Sequence, residues 1–442
     1  MLTVVMRTIW PLFLGILFIG LGNGLQGTLS SWRADYEGFS VLTTGLVMSG
    51  YFIGAFVSSM ISPRQIKKTG QIRTYAAYAS IASTAILMQI LFIEPPVWFV
   101  SRFLSGFCIA GIMIIVEGWL NSISSNENRG QIFSIHMGVV WGGLALGQGL
   151  FAIDDPSGFQ LFLLASILLS VSLIPILLTE IKAPDTEIQE SLGIGALMKA
   201  SPSGLVTIGV SGLASAGFFG VGTIYAVKSG LSVSETALFM TLFIGFGAAS
   251  QWPLGWLSDK IDRRKVILLC CALVTGICIL LSIFEFSKTI FLILNGLIGA
   301  STLPLYSLGV AQTNDRLRPS QMVSASGTIV LVYSVFASLG PFSMSFFIDL
   351  FESSGFLIYL ILVHVLIAAI VFSMMFITDD VDESDQANFQ VMTQRPSVVG
   401  MEVIAEEALE SQLETDDQAS YCLLYTSPSP RDKRQSRMPS SA

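Results

Sequence analysis

Long runs of apolar residues, separated by short polar segments, repeat along the chain as far as about residue 378. Each run is about 18 to 25 residues long, which is the length an α-helix needs to cross the hydrocarbon core of a bilayer. Twelve runs meet this criterion, with predicted bounds 9–30, 41–62, 74–93, 97–120, 131–151, 159–179, 204–226, 235–257, 266–284, 289–312, 322–346 and 355–377. The pattern predicts an all-α integral membrane protein whose two termini lie on the same side.

The composition supports the bilayer as the solvent of this chain. Of its 442 residues, 52% are hydrophobic and 12% are charged, about half the charge of a soluble domain. The formal net charge of -8 comes from the acidic segment 379–417, so the membrane part is nearly neutral. No basic stripe indicates binding to nucleic acid.

The distribution of Lys and Arg predicts the orientation. Fourteen of them lie in the N-terminal segment and in the loops that follow even-numbered runs, against three in the opposite loops. Because cytoplasmic loops are enriched in basic residues, both termini are predicted to be cytoplasmic in a bacterial-type inner membrane. No cleavage site follows the first run, so we expect it to be retained as a span.

The two halves of the chain repeat each other. A shift of 196 residues places SPRQIKK (62–68) on SDKIDRR (258–264). Parallel repeats of six spans are typical of transporters, with the substrate path at the interface of the halves. The predicted division is an N-terminal bundle 1–180, a central cytoplasmic loop 181–203 and a C-terminal bundle 204–378.

The segment GWLSDKIDRRK (255–265) resembles the loop signature of the major facilitator superfamily (MFS). RFLSGFCIAG (102–111) and Arg129–Gly130 resemble two further MFS elements, and the longer run 102–131 is most similar to the YcaD-like branch. The resemblance covers residues 1 to about 378. It implies the MFS fold, two pseudo-symmetric six-helix bundles that rock around a central cavity, but it implies no particular substrate.

The resemblance further implies a gating loop on the cytoplasmic side. In it, Gly255 would allow two helices to approach, and Asp259 would accept hydrogen bonds from the backbone at the neighbouring helix N-terminus. Pro63 stands where the first copy of the signature has an acid, so the N-terminal half either lacks the acidic latch or takes it from another acid, for which Glu117 and Glu127 are the candidates. The expected gating residues are Gly255, Asp259, Lys260, Arg263, Arg264, Arg64, Lys67, Lys68 and Arg129.

Charged groups inside membrane spans are costly and are functional candidates for that reason. Glu117, near the end of the fourth span, and His136, near the start of the antiparallel fifth, are predicted to lie at similar depth and could exchange a proton. Arg102 could meet an anionic substrate group or tune a proton site. The alternatives are a structural hydrogen bond for the pair and helix packing for the arginine.

The MFS resemblance implies that spans 1, 4, 7 and 10 line the central cavity. Polar and aromatic side chains of spans 1, 7 and 10 are therefore candidates to contact a small polar or amphipathic molecule. Close helix packing is the alternative explanation for the many glycines beside them. The candidates are Asn23, Gln26, Phe218, Phe219, Tyr225, Asn295, Tyr306 and Gln312.

These features predict a monomeric, proton-coupled secondary transporter of a small organic solute. Gly143 stands where the antiporter signature of span 5 has proline, which favours symport over efflux antiport; a membrane receptor or scaffold is the third possibility. The chain carries no GxxxxGK[ST] motif for ATP and no enzyme constellation. Its five cysteines and two histidines form no metal-ligand spacing, so we expect no metal and no cofactor.

The segment after Thr378 has a different character. Residues 379–421 are polar and acidic and are predicted to be a disordered cytoplasmic tail. Residues 422–442 are basic and rich in Ser and Pro. They resemble a translated read-through sequence, and a lipid-binding tail is the alternative.

Overall fold

The computed structural model describes residues 2–125, 128–177, 192–378, 386, 389–392, 399–401 and 405. Within this part there is no β-strand, and twelve helical segments are long and apolar enough to cross a membrane. Spans 1 to 12 are Trp10–Tyr36, Val41–Thr69, Gln71–Leu91, Pro95–Ile123, Arg129–Ala152, Gln160–Leu177, Pro202–Lys228, Val233–Ser258, Arg263–Ile283, Lys288–Asn314, Gln321–Phe351 and Ser354–Met375. The predicted twelve-span architecture is confirmed.

Several helices run further than the apolar pattern predicts. Span 2 continues for seven residues past the predicted end at 62, through Pro63 and two lysines, to Thr69. Its extra turns are polar and extend beyond the apolar stretch.

Span 10 is interrupted at Leu303, just before Pro304, because proline has no N–H for the preceding turn. A short helix, Ile194–Ala200, precedes span 7.

Side-chain caps define where several spans begin. Span 8 starts with a capping box, in which Ser232 accepts from the Glu235 N–H and the Glu235 carboxylate accepts from the Ser232 N–H. Span 9 starts at Arg263, and the carboxylate of Asp262 accepts from the Arg264 N–H at 2.9 Å. These caps satisfy N–H groups that have no partner within the helix.

The halves have the same helix packing. In the first half, span 1 packs on spans 5 and 6, span 2 on span 4, and span 3 on spans 4 and 6. Spans 7 to 12 repeat this pattern pair by pair, with span 7 on spans 11 and 12, span 8 on span 10, and span 9 on spans 10 and 12. The chain therefore forms two pseudo-symmetric six-helix bundles, as predicted.

The two bundles contact each other closely at one end. We call the end with residues 259–262 the gate-loop face and the end with residues 229–232 the far face. Near the far face, span 2 packs on spans 7 and 11, and Thr241 of span 8 donates to the Ala145 carbonyl of span 5 at 3.3 Å. A Cβ atom at Gly220 would lie 2.5 Å from Cβ of Pro341 and 3.4 Å from Cβ of Met48. The bundles are thus sealed at the far face.

Gly220→Ala is expected to lower the free energy of unfolding by ~1–3 kcal/mol, because the added methyl group overpacks the contact with Pro341. Gly222→Ala is the matched control on the same helix. The three atoms nearest to its Cβ would all belong to the Phe218 ring, at 3.4 Å or more, and alanine is the better helix former by ~0.5–1 kcal/mol. Unfolding in mixed detergent–SDS micelles measures both. Equal stability of the two variants would contradict the tight seal.

Parts of the predicted division lie outside the described residues. These are Glu127, positions 178–191 of the region around the central loop, and the whole segment 422–442. From the segment 379–421, which the composition predicts to be disordered, the structure describes positions 386, 389–392, 399–401 and 405. These residues pack against the bundles, and Met392, Met401 and Ala405 are buried.

Candidate functional site

A cavity lies between spans 1, 4, 5 and 7. Its wall is mostly aliphatic, with two aromatic side chains, one amide and one carboxylate. The lining residues are Ile16, Ile19, Gly20, Asn23, Ile109, Met113, Glu117, Val140, Trp141, Leu144 and Phe219. Phe219 is the contribution of the C-terminal bundle, so the cavity lies at the interface of the halves.

Glu117 and His136 meet at the wall of this cavity. The Glu117 Oε1 and His136 Nε2 atoms are 3.3 Å apart, and the residues are 3% and 1% exposed. The contact follows from antiparallel spans 4 and 5, which place the two side chains at the same depth. Within the described part of the chain, His136 Nδ1 has no hydrogen-bond partner. A buried carboxylate beside an imidazole can hold a single proton between them.

Arg102 lies apart from this pair. It is 15 residues before Glu117 on span 4, about 22 Å along the helix axis. Its guanidinium carbon stands 4.8 Å from the centre of the Tyr51 ring, and the Asn23 Nδ2 donates to Tyr51 Oη at 3.2 Å. The arginine therefore connects spans 1, 2 and 4 at the opposite end of the cavity through its contact with the Tyr51 ring.

Of the candidate cavity residues, Asn23 and Phe219 line the cavity. Phe218 instead points into the C-terminal bundle, where its ring stacks on Phe243 with centroids 3.4 Å apart. Tyr225 stacks on Phe356 of span 12 at 4.0 Å. The two phenylalanines differ because consecutive residues on a helix point about 100° apart.

The remaining polar candidates bond to neighbouring helices. Gln26 donates to Ser105 Oγ at 3.1 Å, and Asn295 donates to the Phe239 carbonyl at 2.7 Å. Gln312 donates to Ser203 Oγ at 2.7 Å, close to the gate loop. Because a buried amide needs a partner, these side chains connect helices in preference to lining the cavity. Tyr306 is different, since its hydroxyl donates to Met401 Sδ at 3.3 Å.

Arg263 organises the gate loop. Its Nε donates to Asp315 Oδ2 at 2.6 Å, and its Nη1 donates to Asp259 Oδ1 and Ser258 Oγ at 2.9 Å. Arg264 forms a second pair with Asp262, with Nε–Oδ2 at 2.9 Å. All of these partners belong to the C-terminal half. The network therefore ties spans 8, 9 and 10 together.

Asp259 and Gly255 have contacts that differ from the implied gate roles. The carboxylate that caps the neighbouring helix is Asp262, which directly precedes the first helical residue; Asp259 lies at the C-terminal cap of span 8. Asp259 does accept a backbone N–H, but it is that of Phe389, at 3.1 Å. A Cβ atom at Gly255 would collide with the Phe389 ring, so this glycine admits a side chain of the C-terminal segment rather than a helix.

The other expected gate residues lie along the gate-loop face. Lys260 stands 4.0 Å above the Trp256 ring, and Arg64 Nη1 donates to the Met60 carbonyl at 2.9 Å. Lys67 and Lys68 are exposed in the last turn of span 2, where a positive charge favours the helix C-terminus. Arg129 opens span 5. Glu117, one possible replacement for the missing acid, bonds to His136 as described above.

Sequence reasoning missed most of the cavity wall. Ile16, Ile109, Met113, Trp141 and Leu144 are apolar residues in spans that are apolar on all sides, and such spans give no signal to separate a cavity face from a lipid face. Among the described residues, no group of three His, Cys, Asp or Glu side chains could hold a metal ion.

Twelve spans, two pseudo-symmetric bundles and a central cavity define the class of multi-pass membrane transporters. The Major Facilitator Superfamily profile matches residues 12–225 and 204–409. The chain belongs to this superfamily.

Similar proteins include MFS-type transporters of the YcaD kind. An uncharacterised YcaD of Escherichia fergusonii is 25% identical over 76% of this chain and 87% of its own length. The uncharacterised YcaD of Escherichia coli O6:K15:H31 is 26% identical over the same shares.

Solved structures of other transporters resemble this one. The crystal structure of the nucleoside transporter NupG has a TM-score of 0.68 at 13% identity, covering 84% of this chain and 98% of that one. A bacterial homologue of the human lysosomal transporter Spinster, inward-facing and occupied, has a TM-score of 0.66 at 13% identity and covers 86% of this chain and 98% of that one. These structures share the fold.

Proposed function

We propose that the protein moves a small organic solute across the membrane by rocking its two bundles, and that it couples this movement to protons. The observation that carries the proposal is the buried contact of Glu117 with His136 at the wall of the central cavity. A titratable pair at this place can gain a proton when the cavity faces one side and release it on the other.

The cavity wall supports an amphipathic solute. Asn23 offers an amide for hydrogen bonds, while Phe219 and Trp141 offer aromatic faces beside aliphatic side chains. Small-molecule sites with this mixture bind a mostly apolar body and orient it through a few polar groups. Nucleosides have both parts, and a nucleoside transporter has the same fold, so nucleosides belong among the first solutes to test.

The proposal also covers the orientation in the membrane, the conformational state, the oligomeric state and the mode of coupling. We place the gate-loop face in the cytoplasm of a bacterial inner membrane, because the basic residues concentrate there. In that orientation the seal at the far face makes this an inward-facing state. We further propose that the protein works as a monomer, that the division at about residues 180 and 203 separates the two moving units, and that symport is its mode. Efflux antiport is the alternative.

Purified protein in liposomes with an internal pH dye tests the proposal. Nucleosides, amino acids, sugars, carboxylates and cationic drugs are added outside in turn. We expect one class to acidify the lumen, because a symporter carries protons in with its solute. Alkalinisation would establish antiport instead. A silent panel, with radiolabelled uptake that does not respond to an imposed pH gradient, would contradict proton coupling.

A further inference from the structure

Described residues of the C-terminal segment, the part of the chain after span 12, lie against the gate-loop residues Asp259, Arg263 and Asp315. The Phe389 N–H donates to Asp259 Oδ1 at 3.1 Å, and the Phe389 ring fills the space that Gly255 leaves free. Gln386 lies beside Arg263 and Asp315. The chain beyond span 12 therefore bonds to Asp259, one of the two carboxylates that also bond to Arg263.

The segment then enters the cleft between the bundles. The Met392 N–H donates to Ser307 Oγ of span 10 at 3.3 Å, and its carbonyl accepts from Gln251 Nε2 of span 8 at 3.4 Å. Met392 is 2% exposed. Both backbone polar groups of this residue are satisfied by buried side chains of the C-terminal bundle, which is the pattern of a built peptide site.

Further along, the segment reaches the N-terminal bundle. Met401 is 3% exposed and accepts from the Tyr306 hydroxyl. Gly400 lies so close to the Glu117 carboxylate that a Cβ atom there would stand 2.5 Å from Oε2. The described residues 389–392 and 399–401 thus span the cleft, from the gate loop of one half to Glu117 of the other.

We propose that the cleft at the gate-loop face is a binding site for this chain's own C-terminal segment, held through Phe389, Met392 and Met401, and that the bound segment blocks the path from the central cavity. Two bundles that are sealed at the far face can exchange states only by closing at the gate-loop face. The described residues 389–392 and 399–401 lie in that space. The bound segment therefore holds the transporter in one state until it leaves.

Thiol labelling of the full chain tests this without any solute. Cys422→Ser removes the one cysteine outside the described residues, and Cys108, Cys270, Cys271 and Cys278 are buried. Ser307→Cys then places a thiol under Met392. Adding Met392→Glu forces a carboxylate into an apolar seat and expels the segment. We expect N-ethylmaleimide to label the thiol at position 307 at least about tenfold faster in that variant.

Gln390→Glu is the matched control, because it adds the same charge two residues earlier at a half-buried position, and it should leave the labelling rate near that of the parent. Thr69→Cys, exposed at the end of span 2, should react equally fast in every background. Equal rates at position 307 in the Met392→Glu and Gln390→Glu backgrounds would overturn the proposal.

Cross-linking tests the proposal even if the Met392→Glu variant misfolds. Ser307→Cys combined with Met392→Cys should form a disulfide under mild oxidation, and Ser307→Cys combined with Gln390→Cys should not. No disulfide in the first pair, or equal yields in both, would also overturn the proposal. The regulatory consequence rests on the proposed transport function, but these measurements do not, so their failure leaves that function standing.

Discussion

Glu117→Gln is expected to abolish solute-driven proton movement while solute exchange continues. Glutamine keeps the size and the hydrogen bond to His136, but it cannot take up or release a proton. Losing a positioned proton-transfer group typically costs ~10²–10⁴-fold in rate. In liposomes, the pH signal should therefore fall by at least ~10²-fold, whereas exchange of labelled for unlabelled solute across the membrane should persist.

Glu235→Gln is the matched control for this prediction. Glu235 lies at the far face, where it caps span 8 and pairs with Lys288 at 2.7 Å, and glutamine also serves in a capping box. Its proton signal should match that of the parent. An undiminished signal in Glu117→Gln would place the coupling group elsewhere, and loss of exchange together with the proton signal would assign Glu117 to solute binding.

The bounds of the spans could be predicted closely, because a run of apolar residues long enough to cross the bilayer marks a whole helix. A run such as 289–312 differs from its flanks in every turn, and burial of the backbone in lipid leaves the helix as the only stable form. The depth of Glu117 and His136 followed from the same helices, since the rise per residue converts sequence position into depth. Predictions that depend only on the length of a helix, or on the depth of a residue in the membrane, could therefore be made from the sequence.

The sequence did not show which side of each helix faces the cavity. Phe218 and Phe219 have the same chemistry, yet one packs inside the C-terminal bundle and the other lines the cavity. A polar stripe would separate such faces in a soluble helix, but both faces of a buried membrane helix are apolar. Gln26 and Asn295 show the same limit, because an amide can serve a substrate or a neighbouring helix equally well.

The binding position of the C-terminal segment also could not be predicted from the sequence. Acidic composition predicts disorder on average. Phe389, Met392 and Met401 lie within this acidic segment, and Met392 and Met401 contact Ser307 and Tyr306, 85 and 95 residues away. No local pattern encodes a contact of that kind. The family loop signature predicted the position of Asp259 but not its partner.

Asp315→Asn is expected to lower the free energy of unfolding by ~3–5 kcal/mol, because it removes the partner of a buried charge. The Asp315 and Arg263 side chains are 4% and 2% exposed and are joined at 2.6 Å. Asp259 contacts the same arginine at 2.9 Å, but its side chain is 35% exposed. Water screens that second pair, so Asp259→Asn should cost only ~0.2–1 kcal/mol.

A double-mutant cycle separates the pair from its surroundings. Arg263→Gln should destabilise nearly as much as Asp315→Asn, and the double variant should be less destabilised than the sum, because two neutral amides can bond to each other. Unfolding in mixed detergent–SDS micelles measures all four chains. If Asp259→Asn proved the more destabilising of the two aspartate variants, the exposed carboxylate would be the main anchor of Arg263. The gate loop would then be held from the cleft side, where Phe389 shares that carboxylate, rather than from span 10.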